Sequence, residues 1–376
     1  MSYKFDTLAV HAGAEPDAET GAVAPPIHLS TTFRHDPVGD QPDAFQYQRE
    51  DNPTQRRLEV ALAALEDGEA ALAYASGMGA IAAMLDTLQR GERVLIPKDC
   101  YVGLRNFADA VLPERGVIVL TVDTTDLDAV RGACADGIEL IWAESPSNPG
   151  LCVTDLRELA NIAHARSALL VCDNTFATPA LQRPLQLGAD VVMHSTTKYF
   201  GGHSDVLGGA LIFARNDDRC TRIRHTRLLT GAILSPFAAW LILRGCRSLP
   251  ARMALHCANA RKVAAFLSTH PAIDRVNYPG LPEHAGHAVA TRQMRDFGAM
   301  LSIEVHGGYA AALAVARKTV VFTNATSLGG CESLIEHRAS AEGENTNSPP
   351  ALLRLSVGLE DADDLIADLS QALAVA

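Results

Sequence analysis

None of the eight cysteines stands in a C-x-x-C pair, and several, such as Cys172 in LLVCDN, lie inside apolar runs. That usage suits reduced thiols in a cytosolic protein. No apolar stretch is long enough to span a bilayer, and the opening residues MSYKFDTLAVHAG lack the apolar centre of a signal peptide, so no membrane partner and a cytoplasmic location are expected. Basic residues number 32 against 44 acidic ones, for a net charge of -12, and they are scattered, which argues against a nucleic-acid surface. G-x-S-x-G is absent, and His203, Ser204 and Asp205 in GGHSD stand too close in the chain for a hydrolase triad. The histidine pair in HAGH, His284 and His287, lacks a clear third ligand, so no metal is expected.

With 376 residues the chain exceeds the usual size of one hydrophobic core, and two domains are expected. Residues 1–50 are rich in Pro, Asp, Gln and Thr with little periodicity, which reads as an extended arm reaching a neighbouring subunit. Over 51–245, short apolar runs (EAALAY, RVLIP, VIVLTV, ELIWAE, ALLVCD, DVVMHS and GALIFA) alternate with helical patterns. This rhythm predicts an α/β domain with a mixed, mostly parallel sheet covered by helices. From 246 to 376 a long helix near 250–270, shorter strands such as AMLSIEV and a closing helix predict a smaller C-terminal α+β domain, with 340–350 as a polar loop. Polar clusters follow the runs, as SGMG, KDCY, ESPSNP, DNTFATP and HSTTK, and in open α/β sheets that carboxyl-end edge is where ligands bind.

Lys198 is framed by Ser195, Thr196 and Thr197 and followed closely by two glycines. A lysine buried beside hydroxyls must pair with an anion or give up its proton. In SGMGAIA, the amides of Gly77 and Met78 at a helix start suit a phosphate. The same stretch matches G-x-G-x-x-A, which leaves a nicotinamide enzyme open, with Asp99 as its acidic residue. Asp173 ends an apolar run, where it either meets a cation or makes an Asx turn. Tyr47 and Arg49, two apart in an extended segment, share one face and suit a phosphate, or else belong to a solvated arm. Arg354, inside an apolar strand, must find a carboxylate, internal or substrate-borne. Pyridoxal 5'-phosphate needs all of these groups together: an amine for its aldehyde, an acid for its ring nitrogen and a cradle for its phosphate.

The stretches YQREDNPT, SGMGAI, ESPSNP, DNTFATP, HSTTKYFGGHSD, SLGGCESLIEH and LLRLSVGLE together resemble the Cys/Met-metabolism family of pyridoxal-phosphate enzymes, from TLAVHAG to the last helix. The resemblance implies the aspartate-aminotransferase-like type I fold and a homotetramer built as a dimer of dimers. It implies that Lys198 carries the imine to the cofactor, that Asp173 pairs with the ring nitrogen and that Tyr101 stacks on the ring. Gly77, Met78, Ser195 and Thr197 are then phosphate ligands from one subunit, with Tyr47 and Arg49 reaching the same phosphate from the neighbour. Arg354 becomes the clamp for the substrate α-carboxylate, assisted near Ser327, and Asn148 contacts cofactor or substrate. Lys198 is the expected proton carrier and Tyr101 the candidate acid for the leaving group.

The expected reaction makes or breaks a carbon–sulfur bond of a sulfur amino acid. γ-Elimination from cystathionine, giving cysteine, 2-oxobutyrate and ammonia, leads. γ-Replacement on an O-acyl homoserine is the alternative, followed by γ-elimination from methionine and β-elimination from cystathionine. Three departures from the family pattern surround the site. Thr326 stands where glutamate often precedes the SLGG serine, CYVGLRN replaces a Y-G-G-T pattern, and Arg338 replaces a proline ahead of a shortened loop.

Overall fold

The computed structural model describes residues 3–39, 44–343 and 346–374. Seven strands make the larger sheet: β1 (Ala70–Tyr74), β2 (Arg93–Pro97), β3 (Ile118–Val122), β4 (Leu140–Glu144), β5 (Leu169–Asp173), β6 (Val191–His194) and β7 (Gly209–Phe213). Each falls inside one of the seven apolar runs read from the sequence. Their spatial order is β1-β7-β6-β5-β4-β2-β3; β6, β5, β4, β2 and β3 run parallel, whereas β7 is antiparallel to both β6 and β1. β1, β4 and β7 are buried at every position, which is why they read as unbroken apolar runs rather than alternating ones.

Helices cover this sheet. α1 (Phe5–His11) lies within the stretch expected to be an extended arm, and it buries Phe5 and Ala9. That part of the expectation is corrected: a short helix of this length holds only through tertiary packing, here against α2 (Pro53–Glu66), which the seven-residue pattern alone did not disclose. α2 opens with Asn52, whose side chain accepts from the amides of Thr54 and Gln55, and Pro53 follows at the first helical position. Its buried Leu58, Ala61, Leu62 and Leu65 form one apolar stripe.

The second sheet contains β8 (Ile273–Asn277), β9 (Met300–Val305), β10 (Thr323–Asn324), β11 (Leu334–His337) and β12 (Leu352–Ser356), in the order β10-β11-β12-β9-β8. β12 is central and antiparallel to both neighbours, and its register sets Arg354 directly opposite Glu336. A 19-residue helix, Leu249–Leu267, lies between the sheets in sequence. One apolar cluster runs from Val192 and Ile212 through Met253 and Val263 to Leu301 and Leu353, so the two sheets share a core. The stretch 340–350 is not a loop throughout: residues Arg338–Glu342 form a helical turn.

Candidate active site

The loops at the carboxyl ends of β1, β4, β5 and β6 meet segments 326–328, 336–341 and Arg354 around a cavity of about 450 Å³. Lys198 reaches into it from the turn after β6, and its ammonium donates to the Ser327 hydroxyl at 2.7 Å. Burial, and then the nearby Arg354 charge, push its pKa down to about 8. Ser327 is held in a left-handed conformation with φ 86°.

Asp173 ends β5 and is buried at the cavity wall. Its Oδ1 accepts the Thr175 amide at 2.9 Å, so the Asx turn and the cavity-facing carboxylate are one arrangement. Burial pushes its carboxyl above the ordinary range, opposed by the Thr175 hydrogen bonds and by His194. Behind it, His194 Nε2 lies 2.5 Å from Glu66, which also accepts from Asn174 at 2.9 Å. A buried carboxyl so placed gains most from a cationic ligand that it can face directly.

β1 delivers the second cavity wall. Ser76 caps helix α3 (Gly77–Leu85) by accepting the Gly79 amide at 3.0 Å, and the first-turn amides of Gly77 and Met78 have no intrahelical partner by geometry. A Cβ at Gly77 would lie 3.0 Å from Ser195 Cβ and 3.1 Å from its hydroxyl, so any larger residue would push Ser195 back by a few tenths of an ångström from the cradle these elements form. Ser195 is oriented by its amide bonding Thr175 Oγ1 at 2.9 Å. The Thr197 hydroxyl already exchanges hydrogen bonds with Gly208, donating to its carbonyl at 3.1 Å and accepting from its amide at 3.0 Å.

Tyr101 precedes α4 (Val102–Ala110), and burial raises its hydroxyl pKa, keeping it a proton donor at neutral pH. Gly103 keeps the second glycine of the Y-G-G-T pattern while Val102 and Leu104 depart from it, and a Cβ at Gly103 would run into the Tyr101 ring. Glu144, at the end of β4, accepts the Tyr101 amide at 2.9 Å and the Asn148 amide at 2.8 Å. Glu144 was not singled out from the sequence, although it ends an apolar run just as Asp173 does.

Asn148, Ser327 and Arg354 come together as one set. The Arg354 guanidinium donates to Asn148 Oδ1 at 3.0 Å, to the Ser327 carbonyl at 2.9 Å and to Glu336 Oε2 at 2.7 Å. The expected carboxylate partner is therefore present within the chain, in Glu336. Arg338, one of the three departures from the family pattern, is buried at the cavity wall. Thr326 lies at the exposed rim.

Tyr47 and Arg49 do not line the cavity of their own chain. Both are exposed, and Arg49 donates to the Leu228 carbonyl at 2.9 Å. The extended geometry expected for them is corrected: Glu50 and Asp51 amides return to the Tyr47 carbonyl in a turn, which brings the Arg49 guanidinium 5.6 Å from the Tyr47 ring. The dinucleotide reading also fails on topology. β1 and β2, which flank SGMGAIA, are separated by four strands, whereas a dinucleotide unit needs them adjacent and parallel. Asp99 is instead engaged by the Ser147 hydroxyl and the Gly150 amide.

A lysine with a lowered pKa, a buried acid at a parallel strand end and a helix start opened by glycine fit pyridoxal 5'-phosphate, in both charge and available hydrogen-bond groups. On fold and site together this is a pyridoxal-phosphate enzyme. A family model described as Cys/Met metabolism PLP-dependent enzyme matches residues 6–374. Cystathionine γ-synthase of Mycobacterium tuberculosis (strain ATCC 25618 / H37Rv) is 48% identical over 373 residues, covering 98% of this chain and 96% of that protein. Cystathionine γ-lyase of Dictyostelium discoideum is 40% identical over 380 residues, covering 99% of this chain and 98% of that one. The crystal structure of cystathionine γ-synthase from Xanthomonas oryzae pv. oryzae, in complex with aminoacrylate and cysteine, superposes with a TM-score of 0.96 at 42% identity, covering 100% and 99% of the two chains. The chain belongs to the Cys/Met-metabolism family of pyridoxal-phosphate enzymes, and it takes small amino-acid substrates. Among the described residues, no helix is long and apolar enough to cross a membrane.

Proposed function

We propose that the protein is a cystathionine γ-synthase, replacing the acyloxy group of an O-acyl homoserine with the sulfur of cysteine. This reverses the order expected from sequence, where γ-elimination from cystathionine led. The observation that carries the reversal is the 48% identity to a γ-synthase over nearly the whole chain, against 40% for the γ-lyase.

In this reading Lys198 holds the cofactor covalently, and Asp173 keeps the ring nitrogen protonated. The bound cofactor supplies an electron sink for the carbon that loses its proton. Gly77, Met78, Ser195 and Thr197 hold the phosphate, and Tyr101 lies against the ring. Arg354, oriented by Asn148 and the Ser327 carbonyl, takes the α-carboxylate. The Lys198 amine takes the α-proton, passes it on within the bound substrate system, takes a β-proton in its place, and returns both after exchange at the γ-carbon. There the C–O bond breaks, a carboxylate leaves, and the cysteine sulfur forms the new C–S bond; the thiol proton passes to the departing acid, with the Tyr101 hydroxyl as carrier. Tyr47 and Arg49 reach the phosphate of a neighbouring subunit, within a homotetramer arranged as a dimer of dimers. Their exposure and their distance from the cavity of their own chain support that assignment.

The test is a product assay on the purified holoenzyme. Cystathionine formed from O-acyl homoserine plus cysteine is the expected outcome. Ammonia and 2-oxobutyrate released from cystathionine alone, without synthesis from the two substrates, would return γ-elimination to the lead.

A further inference from the structure

Five buried or nearly buried side chains form an alternating row of charge, Arg354, Glu336, Arg338, Glu342 and Arg105, of which the first three line the cavity and the last two lie behind it. Glu336 Oε2 accepts from Arg354 at 2.7 Å and from Arg338 at 2.6 Å, so one oxygen is shared between two guanidinium groups. Arg338 then donates to Glu342 at 2.8 Å, across one helical turn, and Glu342 also lies 3.4 Å from Arg105. The Arg338 Nε has no partner among the described residues. Three guanidinium groups face two carboxylates, leaving one positive charge in excess.

That excess matters for a ligand carboxylate. Were Arg338 neutral, the row would separate into two closed pairs, Arg354 with Glu336 and Arg105 with Glu342. An incoming carboxylate would then meet a neutralised arginine with a like charge 2.7 Å from it. A like charge at that range opposes binding of the carboxylate by direct Coulomb repulsion.

We propose that Arg338 is a positioning residue for the α-carboxylate of the amino-acid substrate: by holding Glu336 it leaves the charge of Arg354 available to that carboxylate. The inference rests on Arg354 as the carboxylate clamp. It gives a role to an arginine at a position where the family pattern has proline, and it makes substrate affinity depend on a residue that acts through Glu336.

The experiment uses the holoenzyme and two probes without a leaving group, L-2-aminobutyrate and its amide, with binding followed by the visible absorbance of the cofactor. The native protein should prefer the acid. Arg338→Met should lower that preference about tenfold and raise KM for the O-acyl homoserine to a similar degree, with kcat changed far less. Arg338→Lys, which keeps the charge, should retain most of the preference. Adding Glu336→Gln to Arg338→Met should restore it, because the competing carboxylate is gone. Arg338→Met with an unchanged acid-to-amide ratio, or a loss that Glu336→Gln fails to restore, overturns the proposal. Arg354→Met separates the two levels: if it too leaves the ratio unchanged, the clamp assignment falls, whereas a loss there with none in Arg338→Met sinks only the role of Arg338.

Discussion

In cofactor-free protein, Lys198 should behave as an amine that is partly neutral at physiological pH. Its pKa of about 8 results first from burial and next from Arg354. At pH 7 about 10% of a group with that pKa is unprotonated, against about 0.04% of a lysine near 10.4, so Lys198 should react with a carbonyl about 200-fold faster than a surface lysine. The perturbation is pH, from 5.5 to 10.5, and the assay is capture of a small aldehyde with borohydride reduction, quantified peptide by peptide by mass spectrometry. Labelling of Lys198 should reach half its maximum near pH 8. Arg354→Met should move that midpoint upward, yet leave it below the surface-lysine value, since burial is the larger cause. A midpoint at or above 10 in the native protein would refute the reasoning, as would an Arg354→Met protein with an unmoved midpoint.

Asp173→Asn should bind the cofactor but lose at least about a hundredfold in kcat, the usual scale for removing one preorganised electrostatic partner; steady-state kinetics on cofactor-saturated enzyme checks this. Gly77→Ala places a Cβ 3.0 Å from Ser195, and equilibrium dialysis should show cofactor affinity lowered by about tenfold or more with the fold intact by circular dichroism. His256 is fully buried, donates Nδ1–H to the Val357 carbonyl at 2.7 Å and has its pKa pushed down to about 4 by burial. Above pH 6.5 it is neutral in both states and contributes no pH dependence. As pH falls from 6.5 to 4 the unfolded chain takes up a proton that the folded one resists, so stability should drop by up to about 3 kcal/mol, and His256→Gln should flatten that part of the urea-midpoint profile.

The strands of the larger sheet were legible because each is an apolar run closed by a polar cluster, as in LLVCDN before TFATP. Their order was not, because the antiparallel placement of β7 between β1 and β6 depends on pairing between distant segments. Asp173, Lys198 and Gly77 stood out as residues that a strand end or helix start would otherwise have little use for. Glu336 did not, and Arg338 stood out only as a departure from the family pattern: their partners lie across a strand pair and across a helical turn, and only the register of β11 on β12 sets Glu336 beside Arg354. Helix α1 was missed for a related reason, since Phe5 and Ala9 gain their burial from another helix rather than from their own repeat.

The cavity draws its walls from two separate stretches, with Gly77, Asp173, Ser195 and Lys198 on one side and Ser327, Glu336, Arg338 and Arg354 on the other. On the proposed assignment, mutations confined to the second stretch would redirect which molecule is accepted while the first continues to retain the vitamin. A lineage built on this frame can diversify its diet without relearning its chemistry.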